Sequence, residues 1–129
     1  MYEVHGWVSL SESTVESDVG GLDSAVAELA NLIASNSEPN IDMSLKVING
    51  ELYVVFAGLA NRKRSTIVDD VLKHVQANLP GSWGLIYERD DETVEAPGPN
   101  AFRVTVLARG VVSERVDPFF SPCNPVIED

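Results

Sequence analysis

Two histidines, one cysteine and several runs of carboxylates are the residues of this chain that could do chemistry. His5 and His74 are far apart in sequence, and neither has the Cys/His spacing that holds a metal, so no metal role is expected of them. As acid–base groups they lack a visible partner. His74 falls between Val71 and Val75 on a helical stretch, toward its exposed side. A catalytic cysteine needs a lowered pKa and a base in space. Cys123 sits among prolines with no base nearby in sequence, and reads as a small buried hydrophobe in a docked tail. Ser9, Ser11, Ser13 and Thr14 are rich in hydroxyls but show no nucleophile-elbow pattern. There is no phosphate-binding loop and no dinucleotide fingerprint. The sequence therefore points to no catalytic residue, no metal site and no cofactor.

The carboxylates are more informative. The chain carries a formal net charge of −11. Residues 1–45 hold no lysine or arginine, but they include Glu12, Glu16 and Asp18. A second acidic cluster comprises Asp90, Asp91, Glu92 and Glu95. It lacks the alternating oxygen ligands, central glycine and final glutamate of a calcium-binding EF-hand. Two readings stand: a solvated hairpin loop, or a preorganised docking loop for a cationic surface. Arg62-Lys63-Arg64 is the one basic run. Ahead of a helix it could meet phosphate, or simply be solvated. A field this negative repels nucleic acid and anionic membranes and attracts basic proteins or metal ions. It also serves solubility.

These residues must be positioned by a body that the periodicities outline. Tyr2, Val4, Val8 and Leu10 alternate with Glu3, His5, Trp7 and Ser9, a strand with one apolar face. Leu22, Val26, Leu29 and Ile33 form a helical stripe. Met43–Ile48 and Glu51–Gly58 flank Asn49-Gly50, a strong signal for a type I′ hairpin. Thr66 is placed to cap a second helix, with Asp69 in its first turn. Ile67, Val71, Leu72, Val75 and Leu79 form the buried stripe of that helix, and Pro80-Gly81 stops it. Trp83–Glu88 and Phe102–Arg109 are further strands, with a short strand near Val111–Val112 as an option. Pro118, Pro122 and Pro125 forbid a regular helix or central strand in the last thirteen residues. Phe119, Phe120, Val126 and Ile127 are too apolar for a disordered tail, so that segment should be extended and pinned by its aromatic and aliphatic side chains.

The expected fold is α+β. A mostly antiparallel sheet of about five strands, in the order β-α-β-β-α-β-β, forms a ferredoxin-like split βαβ with two helices on one face and an extended Pro-rich tail. Residues 1–129 read as one domain. No apolar run is long enough for a membrane helix, and the N-terminus lacks the pattern of a signal peptide. With a single cysteine, a cytoplasmic location is the simplest reading. On the open sheet face, Trp7 is either covered by the tail, with Phe119 or Phe120 the expected cover, or available to a partner.

Met1-Tyr2-Glu3-Val4-His5-Gly6-Trp7, the stretch from Pro80 to Asp91, Phe102-Arg103-Val104 and the tail from Asp117 to Asp129 together resemble the immunity protein 7 family of bacterial polymorphic toxin systems. Residues 30–66 match in pattern only. The resemblance implies a small α+β protein, encoded beside a toxin, that binds and neutralises the toxin's C-terminal domain without enzymatic activity. Such toxins are often nucleases, and surfaces that bind a phosphate backbone are basic. The acidic loops, with Glu12, Glu16 and Asp18 in one and Asp90, Asp91, Glu92 and Glu95 in the other, are thus the expected partner contacts. Two rivals are a regulatory or ligand-binding module of similar fold, and a small enzyme built on the open face around His5 and Trp7. A deep pocket with His5 touching a carboxylate would favour the enzyme.

Overall fold

Strands of period two and helices with one apolar stripe bury their surface most simply as two layers. The computed structural model describes residues 1–11, 20–61, 64 and 66–124, and of residues 20–23 the backbone alone. The elements are β1 (Tyr2–Ser9), α1 (Gly20–Ser35), β2 (Ile41–Ile48), β3 (Glu51–Ala60), α2 (Ile67–Asn78), β4 (Trp83–Asp90), β5 (Arg103–Ala108) and β6 (Val111–Val116). The sheet order is β2-β3-β1-β4-β5-β6, and every neighbouring pair is antiparallel. The first four strands have the ferredoxin-like arrangement, and β5 and β6 extend it as a meander.

The sixth strand is longer than its sequence suggests. Arg109 and Gly110 both have positive φ, 51° and 75°, as the two-residue I′ turn requires. Beyond them, Val111 to Val116 pairs along all of β5. Asn49 and Gly50, with φ of 52° and 79°, make the expected turn between β2 and β3.

Tyr2, Val4 and Val8 of β1, Val54 and Phe56 of β3 and Ile86 of β4 share one core with Leu29 of α1 and Val68, Val71, Leu72 and Val75 of α2. Each such side chain contributes about 1.5–3 kcal/mol through burial. In α1 the stripe is rotated slightly from the expected one. Ala25 and Leu29 are buried, Leu32 and Ile33 pack beside them, and Val26 is only half-buried. The side chain of Leu22 lies outside the described residues. In α2 all five expected residues are buried.

Thr66 does not cap α2. Its φ and ψ, −81° and −9°, are already helical, and its side chain makes no capping bond. A side-chain cap needs an extended backbone at that position. The Thr66 carbonyl instead accepts the Asp70 N–H at 3.0 Å.

Where β1 meets β4 the backbones nearly touch. A Cβ added to Gly84 would run into the carbonyl of Trp7 and come within 2.7 Å of the Val8 Cα. Glycine admits this close approach. No helix among the described residues is long and apolar enough to cross a membrane.

Candidate functional site

β4 sends Gly84, Ile86 and Glu88 toward the helices, so strand alternation delivers a carboxylate to a core position. Glu88 is only 2 % exposed. A buried charge is costly unless it is paired and hydrogen-bonded, and Glu88 is both. The Tyr2 hydroxyl donates to its Oε2 at 2.6 Å. Arg64 donates from Nε to Oε2 at 2.9 Å and from Nη2 to Oε1 at 3.1 Å. The outer edge of the same guanidinium grips Asp69 in the first turn of α2, at 3.0 and 2.8 Å.

Burial opposes the Arg64 charge most strongly, but the hydrogen bonds to Glu88 and Asp69 overcome it and push its pKa up. Burial, and then the Glu88 charge, hold the Tyr2 phenol well above its ordinary value. Arg64 is therefore a half-buried clamp between β4 and α2, not part of a solvated basic loop. Arg62 and Lys63 lie outside the described residues. The signal for this clamp was Glu88 itself, a charge at an inward strand position that demands a partner.

The acidic cluster after β4 divides by role. Asp90 Oδ2 accepts the Arg64 N–H at 3.0 Å and Oδ1 accepts the Glu92 N–H at 2.9 Å, so Asp90 holds the loop. Asp91 pairs with the Met1 ammonium at 2.6 Å. Glu92 and Glu95 are exposed. A hollow of about 230 Å³ beside them is lined by Arg64, Glu88, Asp90, Glu95 and Arg103 among others. The Arg103 Nε is buried without a hydrogen-bond partner among the described residues.

Glu12, Glu16 and Asp18 lie outside the described residues. Their segment leaves from Ser11, whose carbonyl accepts the Gly81 N–H at 3.1 Å and whose N–H donates to Ser82 Oγ at 3.0 Å. Asp90 pairs with Tyr2 at one end of β1, and Trp83 with Ser9 at the other. At the usual strand rise these ends are roughly 23 Å apart. The structure does not bring Ser11 and Asp90 together.

The open sheet face carries Trp7, half-buried, between Val55 and Leu85 in register. The described part of the tail does not cover it. Phe119 and Phe120 are 87 % and 67 % exposed. The described part of the tail is instead pinned through its backbone and two polar side chains. The Asp117 N–H donates to the Phe102 carbonyl at 3.0 Å, and the Cys123 N–H to the Asn100 carbonyl at 2.9 Å. Asp117 Oδ2 accepts the Phe120 N–H at 2.7 Å, and the Asn100 side chain clasps the Asn124 backbone twice at 2.8 Å. These anchors lie along residues 100–102, at the Asp90 end of the sheet and away from Trp7. Val126 and Ile127 lie outside the described residues.

Phe102, not a tail phenylalanine, packs edge-on against His5 and Tyr87, with ring centroids 6.2 and 6.3 Å away. Glu3 touches His5 Nε2 at 2.7 Å and Arg89 Nη2 at 3.3 Å. Glu3, His5, Tyr87, Phe102, Asp117 and Phe120 line a hollow of about 400 Å³. Cys123 is half-buried, and burial raises its thiol pKa, the opposite of an activated nucleophile. His74, placed by its sequence position toward the exposed side, is half-buried between the helices. Its Nε2–H donates to the Ala25 carbonyl at 3.0 Å, and Nδ1 faces the Asn78 amide at 3.3 Å. Among the described residues no group of three or more His, Cys, Asp or Glu side chains is spaced to hold a metal ion.

A family model described as Immunity protein 7 matches residues 1–129, the whole chain. No curated protein and no solved structure matches it.

Proposed function

Because the chain belongs to the immunity protein 7 family, and so is an immunity protein of a toxin–immunity system, we propose that it binds and neutralises the C-terminal domain of a cognate bacterial toxin encoded beside it. The observation that carries this reading is the family match over all 129 residues. The partner is a basic domain, a nuclease by preference, met in the cytoplasm of the producing cell or of a neighbour reached by contact-dependent inhibition. Neutralisation is by binding, through one domain spanning residues 1–129, with no cofactor and no contact to nucleic acid or membrane.

The acidic loops are the electrostatic part of the interface. Glu92 and Glu95 are exposed on a loop that Asp90 holds in shape, and ordered carboxylates speed encounter with a basic surface. Asp91 adds charge, partly offset by the amino terminus. Asp90 acts as a brace. Glu12, Glu16 and Asp18, outside the described residues, are the second set of carboxylates in this reading, and Trp7, half-buried on the open face, offers apolar area.

Coexpression with the adjacent toxin domain tests the reading. Survival together with a co-purifying complex is the expected outcome. Continued killing by an active toxin, with this chain folded and present, would refute it.

One observation favours the enzyme reading, the contact between His5 and Glu3 beside a hollow. The His5 side chain is 53 % exposed, and burial pushes the Cys123 thiol pKa up, away from an activated nucleophile, so binding remains the better account. Stoichiometry separates the two. A binder silences toxin up to one equivalent, whereas an enzyme does so at a small fraction of one.

A further inference from the structure

The hollow over the open face at the Asp90 end has a composition suited to one kind of side chain. Three of its six lining residues present aromatic rings: Tyr87, Phe102 and Phe120. Glu3 and Asp117 supply the acidic side chains, Asp117 from a position only 3 % exposed. The ring of Phe102 is turned edge-on to both His5 and Tyr87, with interplanar angles of 69° and 86°. The Phe102 and Tyr87 ring planes are thus nearly perpendicular.

Phe120 closes one side and stays 67 % exposed. The Asp117 carboxylate holds the Phe120 N–H, so the ring is carried by an ordered turn. The turn fixes where the backbone presents the ring, and the exposed ring offers apolar area for a partner to cover. The charge balance is negative. Glu3 and Asp117 are two carboxylates against one guanidinium, that of Arg89, which reaches Glu3 at 3.3 Å.

Aromatic faces together with carboxylates attract a cation that keeps an apolar stem. We propose that this hollow is a specificity pocket for one arginine or lysine side chain of the toxin. The proposal rests on the immunity reading and deepens it. Long-range attraction comes from the acidic loops, and the pocket supplies the short-range contact that selects one toxin. An arginine plane stacks on Phe120 and Tyr87 while its stem lies along Phe102. Its N–H groups meet the Glu3 carboxylate, whose side chain is 24 % exposed.

The test uses the full chain and the C-terminal toxin domain encoded beside it. Kd is measured for the wild-type chain and for Phe120→Ala, Phe120→Leu and Glu3→Gln. Each Phe120 variant is combined with single replacements of the toxin's surface arginines and lysines in double-mutant cycles. We expect Phe120→Ala to weaken binding about tenfold or more. Phe120→Leu, which keeps apolar area but loses the ring, should recover little of that loss. Coupling should concentrate on one toxin cation. Phe119→Ala, outside the hollow, should leave Kd within about twofold. Melting temperatures equal to that of the wild type will show that the fold is intact, as expected for so exposed a ring. Wild-type binding with unchanged Phe120 variants, or coupling to no cation, would overturn the pocket and leave the immunity reading standing. A wild-type chain that neither binds nor protects would overturn both.

Discussion

Replacing Arg64 with methionine gives the most direct test of what holds the two layers together. Methionine keeps much of the stem volume and removes the guanidinium. Glu88 then loses two of its three hydrogen bonds, those from Nε and Nη2 at 2.9 and 3.1 Å, and keeps only the Tyr2 hydroxyl. At 2 % exposure the Glu88 side chain cannot recover them from water. Removing one partner of a buried pair costs about 3–5 kcal/mol.

The Asp69 arm adds little, because that carboxylate is 41 % exposed and screened by solvent. Arg64 is itself 26 % exposed, so the lower end applies, about 3 kcal/mol. For a domain of this size that lowers Tm by roughly 10 °C. Urea unfolding followed by circular dichroism, at constant m, measures it. The double variant R64M/E88M should lose much less than the single one, since it leaves no orphaned charge. A single-variant loss below about 1 kcal/mol, the range of a surface pair, would refute the claim that Glu88 depends on Arg64.

The remaining predictions concern pH, packing and association. The raised pKa of Tyr2 means that the unfolded chain ionises this phenol near 10.0 while the folded chain does not. Its stabilising contribution is complete below that pH and is lost as pH rises beyond it; one tyrosine should titrate at 295 nm only as the protein unfolds, and Tyr2→Phe should abolish that late step. Gly84→Ala drives a Cβ into the Trp7 carbonyl and to 2.7 Å from the Val8 Cα, so a loss of about 3 kcal/mol or more is expected by thermal melt, whereas an unchanged Tm would mean that β1 and β4 can separate freely. Reversing Glu92 and Glu95 to lysine should slow toxin association severalfold at low salt and flatten its salt dependence while leaving Tm nearly unchanged; unchanged stopped-flow rates would remove that loop from the interface. Asp90 is left out of that variant because its carboxylate holds the loop, so reversing it would mix folding with binding.

Local periodicity was enough for the skeleton. Alternation at Tyr2, Val4 and Val8, the five-residue stripe of α2 and the Asn49-Gly50 turn each depend on neighbours within one or two turns of chain, and each appears in the structure. Charge and composition, too, are properties of the chain alone. Expectations about what covers what depend on contacts between distant residues, and these differ in the fold. The tail looked as if its phenylalanines would pin it, since apolar side chains usually seek cover. In the fold, Asp117 and Asn100 claim its backbone first and leave Phe119 and Phe120 exposed.

Arg64 reads as one of three solvated cations because it follows Arg62 and Lys63 in a basic run ahead of a helix. Only pairing of β4 with β1 brings Glu88 and Tyr2 to one place, and only docking of α2 adds Asp69. The acidic runs were legible as runs, but their division into a brace at Asp90, a partner for the amino terminus at Asp91 and exposed charges at Glu92 and Glu95 was not. Composition and period are carried by the chain itself; a clamp, a hollow or a brace exists only once residues far apart in the sequence are packed together, and the free energy of that packing decides which side chains remain outside.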